Sequence, residues 1–550
     1  MRKVGTILAM VSALGAVALL LLVLGGTATQ TEAAALSNPE EGGAHLPQTA
    51  ALNSTSARPL MYALDVDPPT LDINQASDTR SHLVLGQLME ALYRYRVDGS
   101  AEPAGATNHA VSPDGHVYTV TLRSDAHWSD GQAVTAQHYV DGIIRLLDPA
   151  TGAASAFMMY CLEGAEEYNT GAITDANAVG VTAVGTYTLK FSLEEPAGFF
   201  PSIMATYSTC PVRLDIINSD PDWTEAGHFV GNGPYVLTEW DHGNQLVVDK
   251  NPLYHGAAQV SIERVIFPII PADSDQLAAY EDDQLDVSGY PASELDRILS
   301  DPVLSAELRR MPRPGVRYIG LNTELTPTNA VTVRKALASA IDRSYILTDV
   351  LNMPWREGAT SVIPPGIQGY QNGAVGYTFN VTQAQDFLAQ AGYPDGAGFP
   401  GIELWHEVTI NAVADQWRNN LGITVTLGAH TYNAYEQGWV MDYGDANNIL
   451  NDVFHPDSPF QSTGWDDVRY RQLIGMTLTE TNQISRTAYF QEADQILVED
   501  KAVVIPLFFY DRTSLVKSDI IFEYPPFGAP HLMKWELIYY VYLPVILRDG

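Results

Sequence analysis

The chain has 550 residues, of which 46% are hydrophobic, 17% charged and 10% aromatic. This length exceeds one ordinary hydrophobic core, so two or three packed units are expected, and the composition is that of a globular chain rather than a disordered one. Lys and Arg number 30 against 65 Asp and Glu, which gives a formal net charge of −35. Because such a field repels polyanions, it argues against nucleic acid or anionic lipid as a partner.

The N-terminus has the three parts of a secretory signal. Met1-Arg-Lys is followed by an apolar run, Ile7 to Leu24, and then by small residues that end at Ala35. The pattern predicts export of the chain, with cleavage after Ala35. The run is also close to the length that crosses a bilayer, so an uncleaved anchor within residues 1–35 stays open. No cysteine follows it directly, which excludes lipid attachment there, and residues 36–58 are predicted to be a flexible tether.

Strand and helix patterns alternate along the rest of the chain, which predicts an α/β protein. The clearest pattern is a hairpin, because Tyr235 to Trp240 and Gln245 to Lys250 both alternate apolar with polar side chains around a turn at 241–244. The other predicted elements, in chain order, are strand 60–64, helix 81–93, strand 116–122, helix 136–147, strand 186–193, helices 331–341, 344–351, 380–391 and 413–420, strand 423–427, helix 484–498 and strand 503–510.

Several of these segments carry motifs of one protein family. The motifs are D-P-x-x-L-D at 67–72, W-S-D-G at 128–131, N-G-x-Y-x-L-x-x-W at 232–240, K-N-P-x-Y at 250–254, R-K-A-L-x-x-A-I-D-R at 334–343, A-G-Y-P-D-G-x-G-F-P at 391–400 and Q-W-x-x-N-L-G-I at 416–423. In this order they resemble the oligopeptide and dipeptide-binding family, the extracytoplasmic solute-binding proteins of peptide ABC importers.

The resemblance implies a two-lobed periplasmic-binding-protein-like fold of class II, of the large peptide-binding type with an extra subdomain in the first lobe. Lobe 1 is expected at residues 59–311, with the inserted subdomain at about 98–208. Lobe 2 is expected at 312–504, and residues 505–550 return to lobe 1 and end in an apolar tail. That tail, at 540–548, is predicted to dock as a strand or to act as a sorting or surface-attachment tag. The implied function is a monomeric receptor that closes on oligopeptides and delivers them to an ABC permease.

The segment Gly438-Trp-Val-Met-Asp-Tyr443 carries the main binding hypothesis. A carboxylate at the end of a short apolar strand can hold an ammonium group, and the strand backbone can pair with an extended peptide. The residues alone fit a surface aspartate better. The resemblance implies that Asp442 binds the α-amino group of the peptide, that Gly438 and Val440 offer backbone hydrogen bonds, and that Trp439 lines the cleft.

The resemblance also implies contributions from two other segments. Ser77 and Thr79 match a second segment that pairs with the peptide backbone, and Tyr318 matches a cleft tyrosine. One feature departs from the family, since arginines that meet the peptide carboxylate in some members are missing before Gly438, and Glu436 lies near their place. This departure favours a longer peptide, a cationic peptide or a different solute.

Motifs of common enzymes are missing from the sequence. His406-Glu407 begins a zinc-protease motif, but Ile410 stands where the second histidine is required, and neither G-x-S-x-G nor a phosphate-binding loop occurs. No enzyme activity, cofactor or metal site is therefore predicted. A receptor for an oligosaccharide or another solute on the same fold stays open, as does a secreted hydrolase or surface interaction protein. Cys161 and Cys210 fit one disulfide or two buried thiols equally well.

Overall fold

The computed structural model describes residues 58–405, 409–428, 432–480 and 482–538. The predicted signal or anchor, the tether up to residue 57, His406-Glu407 and the C-terminal tail lie outside the described residues. Within the described ranges, every helix is too short or too polar to span a bilayer.

The strands of the described residues form five sheets. In chain order they are β1 Leu60–Met61, β2 Tyr93–Tyr95, β3 Ala101–Pro103, β4 Ala106–Val111, β5 Val117–Leu122, β6 Val181–Gly185, β7 Thr188–Ser192, β8 Tyr235–Asp241, β9 Gln245–Lys250, β10 Arg264–Pro268, β11 Val287–Ser288, β12 Leu308–Leu321, β13 Ile402–Trp405, β14 Val425–Gly428, β15 Ala434–Val440, β16 Val504–Val516, β17 Ile520–Ile521 and β18 Glu536–Leu537.

The helices alternate with these strands, as the sequence predicts. They are α1 Thr79–Leu88, α2 Ala136–Leu147, α3 Ala165–Asn169, α4 Phe200–Ile203, α5 Leu214–Ile217, α6 Asp273–Glu281, α7 Leu295–Ser300, α8 Pro302–Glu307, α9 Val331–Ser339, α10 Arg343–Tyr345 with a π-turn at Ile346–Val350, α11 Val381–Gln390, α12 Ile410–Leu421, α13 Asn447–Leu450, α14 Val468–Thr479, and α15 Gln483–Gln495 with a π-turn at Ile496–Asp500.

Lobe 1 contains two four-stranded sheets. One has the order β1-β10-β9-β8, and the other, β4-β5-β7-β6, lies in the predicted inserted subdomain. The hairpin β8–β9 forms as predicted and pairs Tyr235 with Lys250. It sits close to the end of α1, where the Gly233 N–H donates to the Leu88 carbonyl at 2.9 Å. A Cβ at Gly233 would lie 2.5 Å from the Leu88 carbonyl carbon, so this approach requires glycine.

Lobe 2 is built on one six-stranded mixed sheet with the order β11-β16-β12-β15-β13-β14. Its longest strand, β12, pairs with β16 on one side and β15 on the other. Strand β12 is not predicted from the sequence, because Pro312, Pro314 and Gly315 interrupt a strand pattern. In the structure these residues fall at a register shift between Pro312 and Val316, where the strand bulges.

The division between the lobes differs from the expected residue ranges. Leu277, Tyr280 and Ile298 pack in the same core as Trp417 of lobe 2. The chain therefore passes to lobe 2 before Leu277 rather than near residue 311, because α6 to α8 bury their apolar side chains in the second core. The return is also later than residue 505, since β16 remains in the lobe 2 sheet through its last residue.

The end of the first helix and the state of the two cysteines differ from what the sequence left open or predicted. Helix α1 ends at Leu88 rather than at residue 93, because Met89 is extended and β2 follows. Cys161 and Cys210 are both free thiols, so the disulfide alternative is not formed. Burial raises the pKa of Cys161 to about 12, which keeps this thiol protonated and unreactive at neutral pH.

Candidate functional site

The strand that carries the main binding hypothesis has one open edge. On one side β15 pairs with β12 along its whole length. On the other side β13 pairs only with Ala434 and Tyr435, because β13 ends at Trp405. Beyond Tyr435, this edge of β15 has no strand partner among the described residues. An unpaired strand edge is a template for an added extended chain.

The alternation of an antiparallel ladder decides which backbone groups face the open edge. The Met441 N–H donates to the Pro314 carbonyl at 2.9 Å, so odd-numbered residues of this segment direct their N–H and C=O groups toward β12. Gly438 and Val440 alternate with them and therefore present their backbone groups at the open edge. These are the two residues that were predicted to bond a peptide backbone.

Asp442 lies just beyond the end of β15 and is held by Asn448. The Asn448 side-chain N–H donates to the Asp442 carboxylate at 3.2 Å. The side-chain oxygen of Asn448, Oδ1, accepts from the Asp442 backbone N–H at 3.1 Å and from the Trp439 indole N–H at 2.9 Å. Because Asn448 is fully buried, one amide fixes both the carboxylate and the indole. Asn448 is not predicted as a site residue from the sequence, because it belongs to no motif.

A second carboxylate shares this amide. The Asn448 side chain also donates to Asp452 at 3.2 Å, and the Tyr443 hydroxyl donates to Asp452 at 2.7 Å. Burial raises the pKa of Asp442 to about 6. Burial also raises the pKa of Asp452 to about 7, and the charge of Asp442 adds to this shift. Neither carboxylate forms an ion pair with a basic side chain of the described residues, so a cationic group arriving here would be favoured.

Tyr207 of lobe 1 lies close to Asp442. Burial raises the pKa of Tyr207, and the negative charge of Asp442 raises it further. The Tyr207 ring stacks on His82 at 4.0 Å between centroids, and burial lowers the pKa of His82 to about 4. His82 belongs to α1, so the start of this helix is tied to the carboxylate site through two stacked rings.

The predicted residues Ser77 and Thr79 flank the N-cap of the same helix. Asp78 caps α1 by accepting from the backbone N–H groups of Arg80 at 2.9 Å and Ser81 at 3.0 Å. Ser77 and Thr79 are exposed. The structure thus brings this segment to the side of lobe 1 that adjoins Asp442.

Two sequence interpretations change at this site. Tyr318 is fully buried and packs edge-on against Phe454 at 5.1 Å, so it belongs to the core of lobe 2 and not to an accessible cleft wall. Glu436 is also buried, and the Arg317 Nε donates to it at 2.7 Å. Because Arg317 neutralises Glu436, this residue gives no reason to expect a cationic side chain on the ligand.

Other places in the described residues offer weaker sites. A small apolar pocket in lobe 1 is lined by Leu71, Trp128 and Trp223, and its charged lining residue, Arg213, is paired with Asp130 at 2.7 Å. Among the described residues, no three His, Cys, Asp or Glu side chains come close enough together to hold a metal ion. The open edge and its carboxylates are therefore the best candidate site.

Comparison with known proteins agrees with this geometry. The model of the bacterial extracellular solute-binding proteins, family 5 middle, matches residues 100–461. The oligopeptide-binding protein OppA of Bacillus subtilis is 30% identical over 481 residues, which cover 82% of this chain and 87% of that protein. The chain belongs to family 5 of the bacterial extracellular solute-binding proteins.

Other similar members of the family differ in the ligand for which they are named. The probable deoxycholate-binding periplasmic protein YgiS of Escherichia coli is 30% identical over 483 residues, covering 82% of this chain and 88% of that protein. The unliganded open form of the murein tripeptide-binding protein MppA superposes with a TM-score of 0.78 at 25% identity, covering 88% of this chain and 97% of that one. The two-lobed fold of this family 5 protein is thereby confirmed.

Proposed function

We propose that this family 5 protein captures extended peptides with a free amino terminus and delivers them to the permease of an ABC importer. The observation that carries the proposal is the open edge of β15 at Gly438 and Val440, which leads directly to the uncompensated carboxylate of Asp442. Its relatives include proteins named for oligopeptide and dipeptide binding.

The proposed binding mode satisfies groups that the protein leaves open. The peptide backbone bonds the N–H and C=O groups that Gly438 and Val440 present at the open edge, and the peptide ammonium bonds Asp442 while Trp439 lines the site. Ser77 and Thr79 approach the peptide from lobe 1. Because both lobes then hold one ligand, the closed form is stabilised by its higher affinity for the peptide.

The proposal also covers where the protein acts, what happens to its ligand and where the lobes hinge. The chain is exported by its N-terminal signal, without lipid attachment, and acts outside the cytoplasm. It binds and releases its ligand without turnover. The two passages between lobes, before Leu277 and after Val516, serve as the hinge.

The test compares one peptide with and without its ammonium group. Native mass spectrometry of the purified protein first identifies the ligand that it carries, and calorimetry then measures the same peptide in free and N-acetylated form. We expect the acetylated peptide to bind about tenfold or more weakly, because a charge-assisted hydrogen bond to a buried carboxylate is lost. Equal affinities would remove the role of Asp442, and peptide hydrolysis by the pure protein would contradict a binding function.

A second candidate ligand is a solute without an amino group. The observation that favours it is the 30% identity to YgiS, which equals the identity to OppA. Recovery of such a solute by native mass spectrometry, together with unchanged binding in Asp442→Asn, would select this alternative.

A further inference from the structure

Three arginines of lobe 2 lie together although the chain as a whole is strongly acidic. Arg313 stands in the bulge of β12, Arg512 lies in β16 opposite Met311, and Arg356 lies in the loop after α10. The register shift in β12 places residues 313–315 opposite Tyr510 alone. The bulge therefore directs one of these cations out of the regular ladder. We call Arg313, Arg356 and Arg512 the arginine cluster.

The arginine cluster has fewer negative charges than positive ones. Arg356 donates to the Asp511 carboxylate from Nε at 2.7 Å, but its Nη1 is buried and has no partner among the described residues, and its side chain is 5% exposed. Arg512 donates to the Tyr524 hydroxyl and lies over that ring at 4.7 Å. Arg313 forms no hydrogen bond or ion pair within the described ranges. One carboxylate thus faces three guanidinium groups.

Charges around the arginine cluster do not supply the missing anions. Arg80 of lobe 1 lies close enough to disfavour the charge of Arg313, and Asp65 pairs with Arg80 itself. Glu436 is taken up by Arg317. Burial and the charge of Arg313 together lower the pKa of Arg356 and of Arg512 to about 10. Guanidinium groups held in this way are costly unless an anion reaches them.

The arginine cluster adjoins the proposed peptide strand through Tyr510. A Cβ at Gly438 would lie 1.9 Å from the Tyr510 hydroxyl, so this ring rests directly on the strand, and glycine makes room for it. Tyr510 also favours the charged form of Arg313 and of Arg356. On the lobe 1 side, Arg80 donates to the Thr79 hydroxyl at 3.1 Å. The cluster therefore lies between the two segments proposed to hold the peptide backbone.

We propose that the arginine cluster binds a carboxylate of the ligand, and that acidic peptides are the preferred class where this carboxylate belongs to a side chain. Guanidinium groups bind carboxylates through paired N–H donors, and a carboxylate would give the buried Nη1 of Arg356 the acceptor that it lacks. The carboxylate comes from an Asp or Glu side chain or from the C-terminus, since both present the same group. This inference rests on the proposed function and adds a second anchor to it.

The first experiment selects ligands without assuming their sequence. The ligand-free protein is incubated with a mixture of tetrapeptides randomised at every position, and the bound peptides are identified by mass spectrometry. We expect enrichment of Asp and Glu at one position. A chosen Glu peptide is then compared by calorimetry with its Gln counterpart, and each is measured with a C-terminal acid and a C-terminal amide. We expect about a tenfold or larger loss on removing the recognised carboxylate.

The second experiment removes the cations. In the double variant Arg313→Gln/Arg512→Gln, which keeps Arg356, the carboxylate preference is expected to fall about tenfold or more, while the penalty for N-acetylation stays. A matched control, Arg264→Gln/Arg469→Gln, removes two exposed arginines, each paired with a carboxylate at 2.6 Å, and should keep the preference. The thermal midpoint of the ligand-free Arg313→Gln variant should not fall, because this side chain forms no hydrogen bond or ion pair with the described residues. If the double variant does not fold, Arg313→Gln alone carries the same comparison.

The outcomes separate the two proposals. Three results would overturn the arginine site and leave peptide binding intact. They are peptides recovered without acidic bias that also bind equally as C-terminal acid and amide, a carboxylate preference undiminished in the double variant, and a large loss of stability in Arg313→Gln. A preference for the C-terminal acid over the amide supports the site and names the C-terminus as the source of the carboxylate. Recovery of no peptide from the mixture would overturn both proposals.

Discussion

Asp445 and Asp442, two aspartates three residues apart in the segment after β15, differ in the charge of their partners. Asp445 receives both Nη groups of Arg486, at 2.5 and 2.9 Å, and both side chains are buried. Asp442 receives the neutral amide of Asn448 and no cationic side chain of the described residues. The first charge is satisfied inside the fold and holds α15 in place, whereas the second is left for a partner from outside. Burial alone therefore does not mark a binding group, and the missing counter-charge does.

The largest expected effect is on the free energy of unfolding when the ion pair between Asp445 and Arg486 is broken. Asp445→Asn leaves the Arg486 guanidinium buried without a carboxylate, and we expect the free energy of unfolding to fall by about 3–5 kcal/mol. Urea denaturation of the ligand-free protein measures this change. The double variant Asp445→Asn/Arg486→Met should recover part of the loss, because it removes the uncompensated charge. A single variant as stable as the wild type would show that the pair is not structural.

The second prediction concerns Asp442, whose substitution should stabilise the ligand-free protein where substitution of Asp445 destabilises it. Asp442→Asn is expected to weaken binding of a free-amine peptide by well over tenfold, since a charged hydrogen bond is worth about 1.5–3 kcal/mol. The same change should stabilise the ligand-free protein at pH 8 by about 1–2 kcal/mol, because it removes a buried charge that lacks a cation. Calorimetry and urea denaturation measure the two quantities on one preparation. Loss of both affinity and stability would make Asp442 a structural residue like Asp445.

The sequence could not separate these two aspartates. Both lie in the run Asp442-Tyr-Gly-Asp445, and the arginine that decides between them is 41 residues farther along the chain. By contrast, the hairpin β8–β9 was predictable because its strands and turn are adjacent, so alternation and turn residues suffice. The family motifs then supplied the fold and the role of Asp442, which composition and spacing alone did not.

The features that the sequence did not predict correctly all depend on contacts between residues far apart in the chain. Strand β12 was missed because its prolines end a strand in most contexts, whereas here neighbouring strands on both sides hold the bulge in the sheet. Tyr318 matched a family position, but only packing shows that its ring is enclosed. The arginine cluster is assembled from residues 313, 356 and 512, which no local pattern connects. Long-range assembly is the part that a single sequence hides.

A third effect concerns pH and follows from the raised pKa values. Asp442 ordinarily titrates near 3.8 and is shifted to about 6 in the ligand-free protein, so it is ionised at pH 7.5 and largely protonated at pH 5. Peptide ammonium binds the ionised form, and we expect affinity to fall about tenfold between these pH values, with proton release on binding at pH 5. Calorimetry in buffers of different ionisation enthalpy counts the protons.

The same shifts fix the sign of the stability change without ligand. A carboxylate whose pKa is raised on folding stabilises the folded state below its unfolded pKa, and this contribution is lost as pH rises through the folded value. Asp442 and Asp452 should therefore make the ligand-free protein less stable as pH rises from 4 to 8. In Asp442→Asn the slope should be smaller, and an unchanged slope would assign the effect to other groups.

The smallest expected effect comes from Trp439→Phe, which tests how Asn448 positions the Asp442 carboxylate. Trp439→Phe keeps an aromatic ring near Phe460, which lies 5.1 Å from the indole, but it removes the N–H that donates to Asn448. We expect a stability loss of about 0.5–1.5 kcal/mol, the usual worth of one neutral hydrogen bond. The Asn448 amide would then be held less firmly, so binding of a free-amine peptide should weaken a few-fold, while the N-acetylated peptide, which makes no bond to Asp442, should be affected less. An equal loss for both peptides would mean that Trp439 contacts the ligand directly and does not act by positioning Asp442.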